Sequence, residues 1–155
     1  MSARRLFAIS LLSLGGLLAL TGCGTAPSPV SGQDSSRTLT LAANTDWVLV
    51  RWTSAGVSKH PIHSPAPALQ IGNEGRISGN AGVNRYTGVA RITDARLNWS
   101  GNFALTRMAG PPELMAAENL YLDALQSTHS VTVRDDRLIF TGEKPLRLEF
   151  VRAKP

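Results

Sequence analysis

The fold is decided by Gly79-Asn80-Ala81-Gly82-Val83-Asn84-Arg85-Tyr86-Thr87-Gly88, a stretch in which three glycines and an asparagine lead into a run of β-forming residues. Glycine allows a positive φ or a close approach of two strands, and the carboxamide of asparagine can hydrogen-bond to the backbone of a turn. We therefore expect Gly79, Gly82, Gly88 and Asn84 to shape the backbone. A part in a binding rim is the alternative.

Short segments rich in β-forming residues recur on both sides of this stretch, and Gly, Asn and Asp clusters separate many of them. Tight turns between neighbouring strands indicate antiparallel pairing. The predicted strands are 39–41, 47–52, 85–92, 96–99, 103–106, 129–133, 137–141 and 146–151.

One segment has helical spacing instead. Leu114, Ala117, Tyr121 and Leu125 fall on one face of a helix that starts after two prolines, at about 112–126. A single helix covers too little of a sheet to hide all its apolar residues. We therefore predict a mainly β (α+β) fold, with a small antiparallel meander curled into an incompletely closed barrel and the helix packed on it.

The N-terminus has the layout of an export signal. Arg4 and Arg5 precede a mostly apolar run at 6–20, which is short for a membrane span of about 20 residues. Leu20-Thr21-Gly22-Cys23 then resembles the lipobox of bacterial lipoproteins, in which the cysteine thiol and the freed amine are acylated. We expect a signal peptide at 1–22, lipidation of Cys23 by palmitate-type chains, and a membrane anchor through those chains.

Gly24 follows the cysteine where the resemblance puts aspartate in lipoproteins retained at the inner membrane. This favours the outer membrane, facing the periplasm. Residues 23–36 hold two prolines and four serines and predict a tether, and 37–155 is expected to form a single domain. We expect a monomer.

Charge excludes one class of partner. Without the first 22 residues the chain has 133 residues with 14 Lys and Arg against 11 Asp and Glu, a formal charge of +3. These charges form no basic run interleaved with aromatic residues, so we expect no nucleic-acid partner. Modest attraction to anionic lipid remains open.

The stretch at 79–88 resembles the G-x-x-G-C-N-x-[YF]-x-G signature of the META domain, also called the HslJ-like family. A second block, with Thr106, Met108 and Ala109, is similar to the family's T-x-M-A-C, and the helix that follows also fits. The resemblance covers about 46–151 and implies an association with envelope stress. We expect the residues that match its motifs to be structural. The motif residues are Gly79, Gly82, Asn84, Tyr86, Gly88, Thr106, Met108 and Ala109.

Two departures from the family pattern are informative. Many family members carry cysteines at the positions of Val83 and Gly110, and both are absent here. Joint loss fits a spatially paired couple, so the resemblance implies that Val83 and Gly110 are neighbours.

The rest of the sequence offers few candidate catalytic or metal-binding residues. His60 and His63 lie in one loop and His129 is the third histidine, too few ligands for a metal site. Asp135-Asp136 reads as a hairpin turn, and no serine has the surroundings of a nucleophile. We expect no catalytic residues, no metal and no cofactor.

Exposed aromatic and basic residues are the remaining binding candidates. Trp47 is expected in the core, and a regular strand would turn Trp52 to the opposite face. We take Trp52 and Trp99 as the possible binding surface. Five arginines in the middle strands form a solvated or a positive binding face: Arg76, Arg85, Arg91, Arg96 and Arg107.

These observations favour a non-enzymatic, lipid-anchored envelope protein in stress tolerance or in binding another envelope component. The alternative is a carrier or pilot-type module that holds an acyl chain or a peptide of an outer-membrane partner. A continuous apolar cavity beneath the helix would favour the carrier, and a filled core would count against it. An enzyme would need a cleft with converging polar groups.

Overall fold

The computed structural model describes residues 38–54, 57–59 (backbone), 65–94, 96–143 and 145–154. The predictions for the signal peptide, Cys23, the tether, His60 and His63 lie outside these residues. Within them, ten strands and one long helix, α1 (Pro112–Gln126), form the domain. The strands are β1 (Asp46–Ser54), β2 (Val57–Lys59), β3 (Ala68–Ile71), β4 (Arg76–Asn80), β5 (Arg85–Thr93), β6 (Arg96–Trp99), β7 (Ala104–Leu105), β8 (Thr128–Arg134), β9 (Arg137–Gly142) and β10 (Arg147–Arg152).

The strands form one curled antiparallel sheet. Its order is β6-β5-β4-β3-β1-β10-β9-β8, with β2 beside β1 and β7 beside β5. The two ends of this path, β6 and β8, lie against each other without forming a ladder among the described residues. The prediction of an incompletely closed barrel with one helix is confirmed.

Strands β6 and β7 together make one long, interrupted edge. β4 occupies one side of β5, while β6 pairs with residues 90–93 of β5 and β7 pairs with Tyr86 and Thr87 on its other side. Between them, residues 100–103 bulge out of the ladder. The open seam of the barrel therefore runs along β6 and β7.

Two prolines determine where α1 begins. Pro111 precedes the helix and Pro112 occupies its first turn, where a missing N–H costs nothing. The helix buries a stripe that includes Ala117, Tyr121 and Leu125 and lies over the part of the seam that β8 does not reach. The bounds predicted for this helix are confirmed.

A filled aromatic core lies inside the barrel. The side chains of Trp47, Tyr86, Tyr121, Phe140 and Phe150 are at most 1% exposed. Tyr86 packs edge-to-face against Tyr121, as Phe140 does against Phe150. The space between α1 and the sheet is thus occupied by side chains.

The predicted strand at 39–41 is wrong. Residues 38–41 form a helical turn, closed by the Ala42 N–H donating to the Thr38 carbonyl at 2.9 Å. Asn44 then adopts a φ of 55°, which ends the turn before β1. Three strands, β2, β3 and β4, were not predicted because they are short or contain glycine.

A β-bulge in β1 also overturns the predicted placement of Trp52. The register shifts between Leu49, opposite Phe150, and Arg51, opposite Glu149. Because one extra residue reverses the alternation, Trp52 returns to the inner face opposite Leu148. Trp47 and Trp52 therefore lie on the same side of the sheet, and Trp52 packs against the core.

Candidate functional site

Asn84 joins three parts of the domain through its carboxamide. Its Oδ1 accepts the Met108 N–H at 2.8 Å and the Thr106 hydroxyl at 3.0 Å. Its Nδ2 donates to the Met108 carbonyl at 3.3 Å and to Glu118 Oε1 at 2.8 Å. The side chain is 2% exposed and uses both of its polar atoms. Asn84 therefore links three parts of the domain: the stretch at 79–88, which we call the glycine motif, the segment after β7, and α1.

The pairing between Asn84 and Met108 copies a rung of a β-ladder. Both main-chain groups of Met108 bond to one carboxamide, as they would to a neighbouring peptide unit. Two residues earlier along the same edge, the Thr106 N–H donates to the Arg85 carbonyl at 3.0 Å, and the Arg85 N–H donates to the Thr106 hydroxyl. The side chain of Asn84 thus extends the β5·β7 pairing beyond the end of the strand.

Glu118 anchors the glycine motif to the helix. Its carboxylate is 1% exposed and accepts the Val83 N–H at 3.0 Å and the Asn84 N–H at 2.6 Å, besides the Asn84 side chain. No cation lies beside it among the described residues. Three N–H donors thus satisfy a buried carboxylate, which makes Glu118 a structural anchor.

Two of the motif glycines allow close approach. A Cβ on Gly79 would lie 2.0 Å from the Ala68 carbonyl oxygen, and one on Gly88 would lie 2.5 Å from the Phe103 ring. No side chain fits at either position, since such contacts overlap. Both glycines thus let a neighbouring group come close, and the structural role expected of the motif glycines stays a prediction.

The two tyrosines of the chain meet beneath α1. The hydroxyl groups of Tyr86 and Tyr121 are 2.8 Å apart and buried. Burial raises the pKa of Tyr86 well above its ordinary value of 10.0, and the neighbouring Tyr121 raises it further. Burial also raises the pKa of Tyr121. Both phenols stay neutral in the folded protein at ordinary pH.

Val83 and Gly110 are neighbours, as the family pattern implies. A Cβ built on Gly110 would lie 3.4 Å from the Val83 Cβ and 2.7 Å from Val83 Cγ2. Cβ atoms of a disulfide lie roughly 3.5 to 4.5 Å apart. The positions are therefore within disulfide reach, and the valine side chain fills the space.

A surface groove of about 630 Å³ opens between β7, the segment after it and α1. We call it the β7–α1 groove. Leu105 and Met108 on its wall are 41% and 53% exposed, and Met115 of α1 faces them across the groove. Asn84 and Glu118 also line it. The motif residues thus hold together the walls of an apolar, solvent-open groove.

One wall of the groove is an unpaired strand edge. Residues 104–109 are all exposed. The ladder register directs the main-chain groups of Ala104, Thr106 and Met108 toward β5 and Asn84, so those of Leu105 and Arg107 point away. No described residue hydrogen-bonds to the main chain of Leu105 or Arg107. We call residues 104–109 the open edge.

The two tryptophans of the predicted binding surface are both partly buried. Trp99 is half-buried, and its Nε1 donates to the Thr128 carbonyl at 3.2 Å, across the seam from β6 to β8. Trp52 is half-buried in β1, and its Nε1 is buried without a hydrogen-bond partner among the described residues. A binding role for either tryptophan stays a prediction.

The predicted arginine face is exposed, and four of its members lie on the outside of the sheet. The β4·β5 and β5·β6 registers give Arg76, Arg85, Arg91 and Arg96 the face opposite the core. Neither they nor Arg107 form an ion pair with any residue that the structure describes. His129 lies on β8, with Nε2 at 3.8 Å from Glu143.

The described residues contain neither a cluster of metal-binding side chains nor a helix fit to cross a membrane. No group of three or more His, Cys, Asp or Glu side chains lies close enough together there to hold a metal ion. No helix within those ranges combines the length and the apolar character needed to cross a membrane.

A model of the META domain family matches residues 38–155. The chain belongs to the META domain family. No curated protein matches it significantly. The match covers every element of the barrel and all the residues of the Asn84 network, so this network is part of the META domain itself.

Two solved structures resemble the domain. An NMR structure of a protein from Burkholderia xenovorans is 26% identical, with a TM-score of 0.61, and the likeness covers 84% of this chain and 93% of that one. A second NMR structure is 22% identical, with a TM-score of 0.53, over 74% of this chain and 93% of the other. The second likeness supports the fold alone.

Proposed function

We propose that this META domain protein is a non-enzymatic, lipid-anchored component of the bacterial cell envelope that binds another envelope component in the β7–α1 groove. The observation that carries this proposal is the groove wall. Leu105 and Met108 expose 41% and 53% of their surface beside an unpaired strand edge. Exposed apolar side chains gathered in a concave site are typical of binding surfaces.

The polar groups in the groove support binding rather than catalysis. Both oxygens of the Glu118 carboxylate accept N–H donors, and both polar atoms of the Asn84 carboxamide are bonded. A general acid or base needs a proton-transfer partner in the substrate, and these groups already have partners in the protein. Their chemistry is used to hold the walls of the groove in place.

The anchor follows from the sequence around Cys23. Leu20-Thr21-Gly22-Cys23 closes an apolar run behind Arg4 and Arg5, which is the pattern of a lipidated export signal. Several acyl chains on Cys23 would hold the protein on a bilayer. Gly24 favours delivery to the outer membrane, facing the periplasm. The association with envelope stress rests on the family resemblance.

The filled core counts against the acyl-chain carrier. Tyr86, Tyr121 and Leu125, each at most 1% exposed, occupy the space beneath α1 where a chain would lie. A peptide of an outer-membrane partner needs no interior cavity. Of the two ligands considered for a carrier or pilot-type module, the groove therefore favours the peptide.

The proposal is tested by placing a photo-crosslinking amino acid at Leu105 or Met108 in the full chain and irradiating intact cells. We expect adducts with a specific envelope component from both positions. Leu120, which is 59% exposed on α1 but does not line the groove, is the matched control and should give none. Equal crosslinking from Leu120 and Met108 would refute binding at the groove.

The role of the anchor is tested by repeating the Met108 crosslink in a Cys23→Ala background. If the anchor delivers the domain to its partner, the yield of that adduct should fall. The same adduct at the same yield from the unanchored chain would show that anchoring is incidental to partner choice.

A further inference from the structure

We propose that the β7–α1 groove receives an extended peptide segment of a partner protein, which adds to the open edge as an extra β-strand. This inference rests on the proposed function, because it specifies what binds in that groove and how. Three features support strand addition: the main chain of residues 104–109, the position of α1 beside it, and the charge of the groove wall.

The hydrogen-bond pattern of β5 defines which groups of the open edge are free. The Ala81 N–H donates to the Asn84 carbonyl at 2.8 Å, which fixes the β4·β5 ladder so that the main chain of Tyr86 faces β4. Arg85 therefore faces β7, where it pairs with Thr106. Because successive residues of a strand direct their main-chain groups to opposite sides, the N–H and C=O of Leu105 and Arg107 point away from β5 and toward the groove. There they can pair with another strand.

Helix α1 lies beside this edge but cannot form main-chain hydrogen bonds with it. Within α1 the main-chain groups bond to one another, so the helix offers the edge only side chains. Among the described residues, its hydrogen bonds to main-chain groups in this part of the domain are those of Glu118 with the Val83 and Asn84 N–H and of Gln126 Nε2 with the Gly101 carbonyl at 3.0 Å. Neither reaches Leu105 or Arg107. Helix α1 therefore forms the far wall of a channel whose near wall is still unpaired.

The open edge contains neither proline nor lysine. Exposed edges are generally blunted by proline, by lysine or by a covering loop. Residues 104–109 read Ala-Leu-Thr-Arg-Met-Ala, and Leu105 and Met108 are exposed apolar residues. Because Leu105 and Met108 have opposite parity, a strand added here would pair with the main chain and cover one of them on each of its faces.

The charge of the groove indicates the chemistry of the peptide. Arg107 lines the groove and makes no ion pair with a described residue. Glu118 is the acidic residue among the groove-lining residues, and its carboxylate is buried beneath the wall. We infer a segment of about four to six residues with an apolar side chain opposite Leu105 and, two positions away on the same face, an acidic side chain opposite Arg107.

A phage library of random linear twelve-residue peptides, selected on the full chain purified in detergent, tests this. Enriched peptides should show an acidic residue two positions from an apolar one. A strand pairs through one edge, so N-methylation of one alternate set of amides in the best peptide should weaken binding at least about tenfold, while the other set should be tolerated. This comparison of two N-methylated peptides uses the unaltered protein, so a folding defect cannot cause the difference in binding.

Protein variants test the same pairing from the other side. Leu105→Pro removes an N–H that points away from β5, a position where an edge strand tolerates proline, and should weaken the peptide about tenfold. Arg107→Glu should weaken it and change the selected acidic position. Leu120→Ala is the control and should bind the peptide as the unaltered chain does.

Several outcomes would overturn strand addition. They are the enrichment of no peptide above background, equal tolerance of both N-methylated peptides, and unchanged binding by Leu105→Pro with an intact fold. If Met108 still crosslinks to an envelope component in cells under any of these outcomes, groove binding survives and strand addition fails. Loss of the Leu105 and Met108 crosslinks would remove the proposed function as well.

Discussion

The two halves of the β6–β7 edge are closed in different ways. At β6, the Trp99 indole reaches across the seam to the Thr128 carbonyl, so side chains join the two ends of the sheet. At β7, α1 lines the seam, yet the main chain of Leu105 and Arg107 has no hydrogen-bond partner among the residues that the structure describes. A side-chain seal removes an edge from access, whereas a helix lid covers the core and leaves the edge available. The comparison shows how one barrel can be stable and still offer a strand-binding site.

The largest effect is expected from removing the residue that supports the open half. Asn84→Ala deletes the rung that holds Met108 and leaves the buried Glu118 carboxylate and the main chain of Met108 short of partners, so the free energy of unfolding should fall by about 3 to 4 kcal/mol. Urea unfolding measures this. Asn98→Ala is the control, since its exposed carboxamide donates only to the Arg96 carbonyl, and should change stability by less than about 0.5 kcal/mol. Equal losses from both variants would contradict the assigned role of Asn84.

A disulfide at the end of the open edge should stabilise the domain. The variant Val83→Cys with Gly110→Cys joins positions already in contact and should add about 3 kcal/mol under oxidising conditions. The gain should vanish on reduction. Peptide binding should be unchanged, because the bond leaves Leu105 and Arg107 free. Failure of the two thiols to pair would show that the wall is not held as the structure has it.

Alkaline pH should destabilise the part of the domain under α1. The folded pKa values of Tyr86 and Tyr121 lie above the unfolded value, so their contribution is complete below about pH 10 and is lost as pH rises toward the folded values. The slope is about 1.4 kcal/mol per pH unit for each tyrosine. The free energy of unfolding should be measured as a function of pH across this range. Its decline with pH should disappear in the Tyr86→Phe, Tyr121→Phe double variant. An unchanged slope would contradict the buried pair.

The smallest effect compares two indole N–H groups. Trp99→Phe removes the bond to Thr128 across the sealed half, whereas Trp52→Phe removes a buried N–H that has no partner in the described structure. We expect Trp99→Phe to cost about 1 kcal/mol more than Trp52→Phe in thermal unfolding. The reverse order would mean that Trp99 does not seal the seam.

Much of the fold could be predicted from the sequence where residue type determines local structure. The prolines at 111 and 112 fix the start of α1, and the apolar stripe fixes its length. β6 and β9 were predicted because β-forming residues are bounded by turn residues. β4 was missed since Gly79 and Asn80 weaken a strand pattern, although they fit a sheet whose neighbour comes close.

The site was only half predictable for a physical reason. Asn84, Thr106 and Met108 belong to recognisable motifs, and the helix that carries Glu118 also matches. The bulge that returns Trp52 to the inner face has no signature in residue type. The open edge at Leu105 and Arg107 is a property of what lies beside it in space, and a sequence does not display an unpaired neighbour.

Amide hydrogen exchange at 104–108, measured residue by residue by NMR with and without a selected peptide, tests the central claim most directly. In the free protein, Thr106 and Met108 should be protected through Arg85 and Asn84, while Leu105 and Arg107 exchange freely. Bound peptide should protect Leu105 and Arg107 as well. Uniform exchange in the free protein, or no added protection at Leu105 and Arg107 with peptide bound, would contradict strand addition at the open edge.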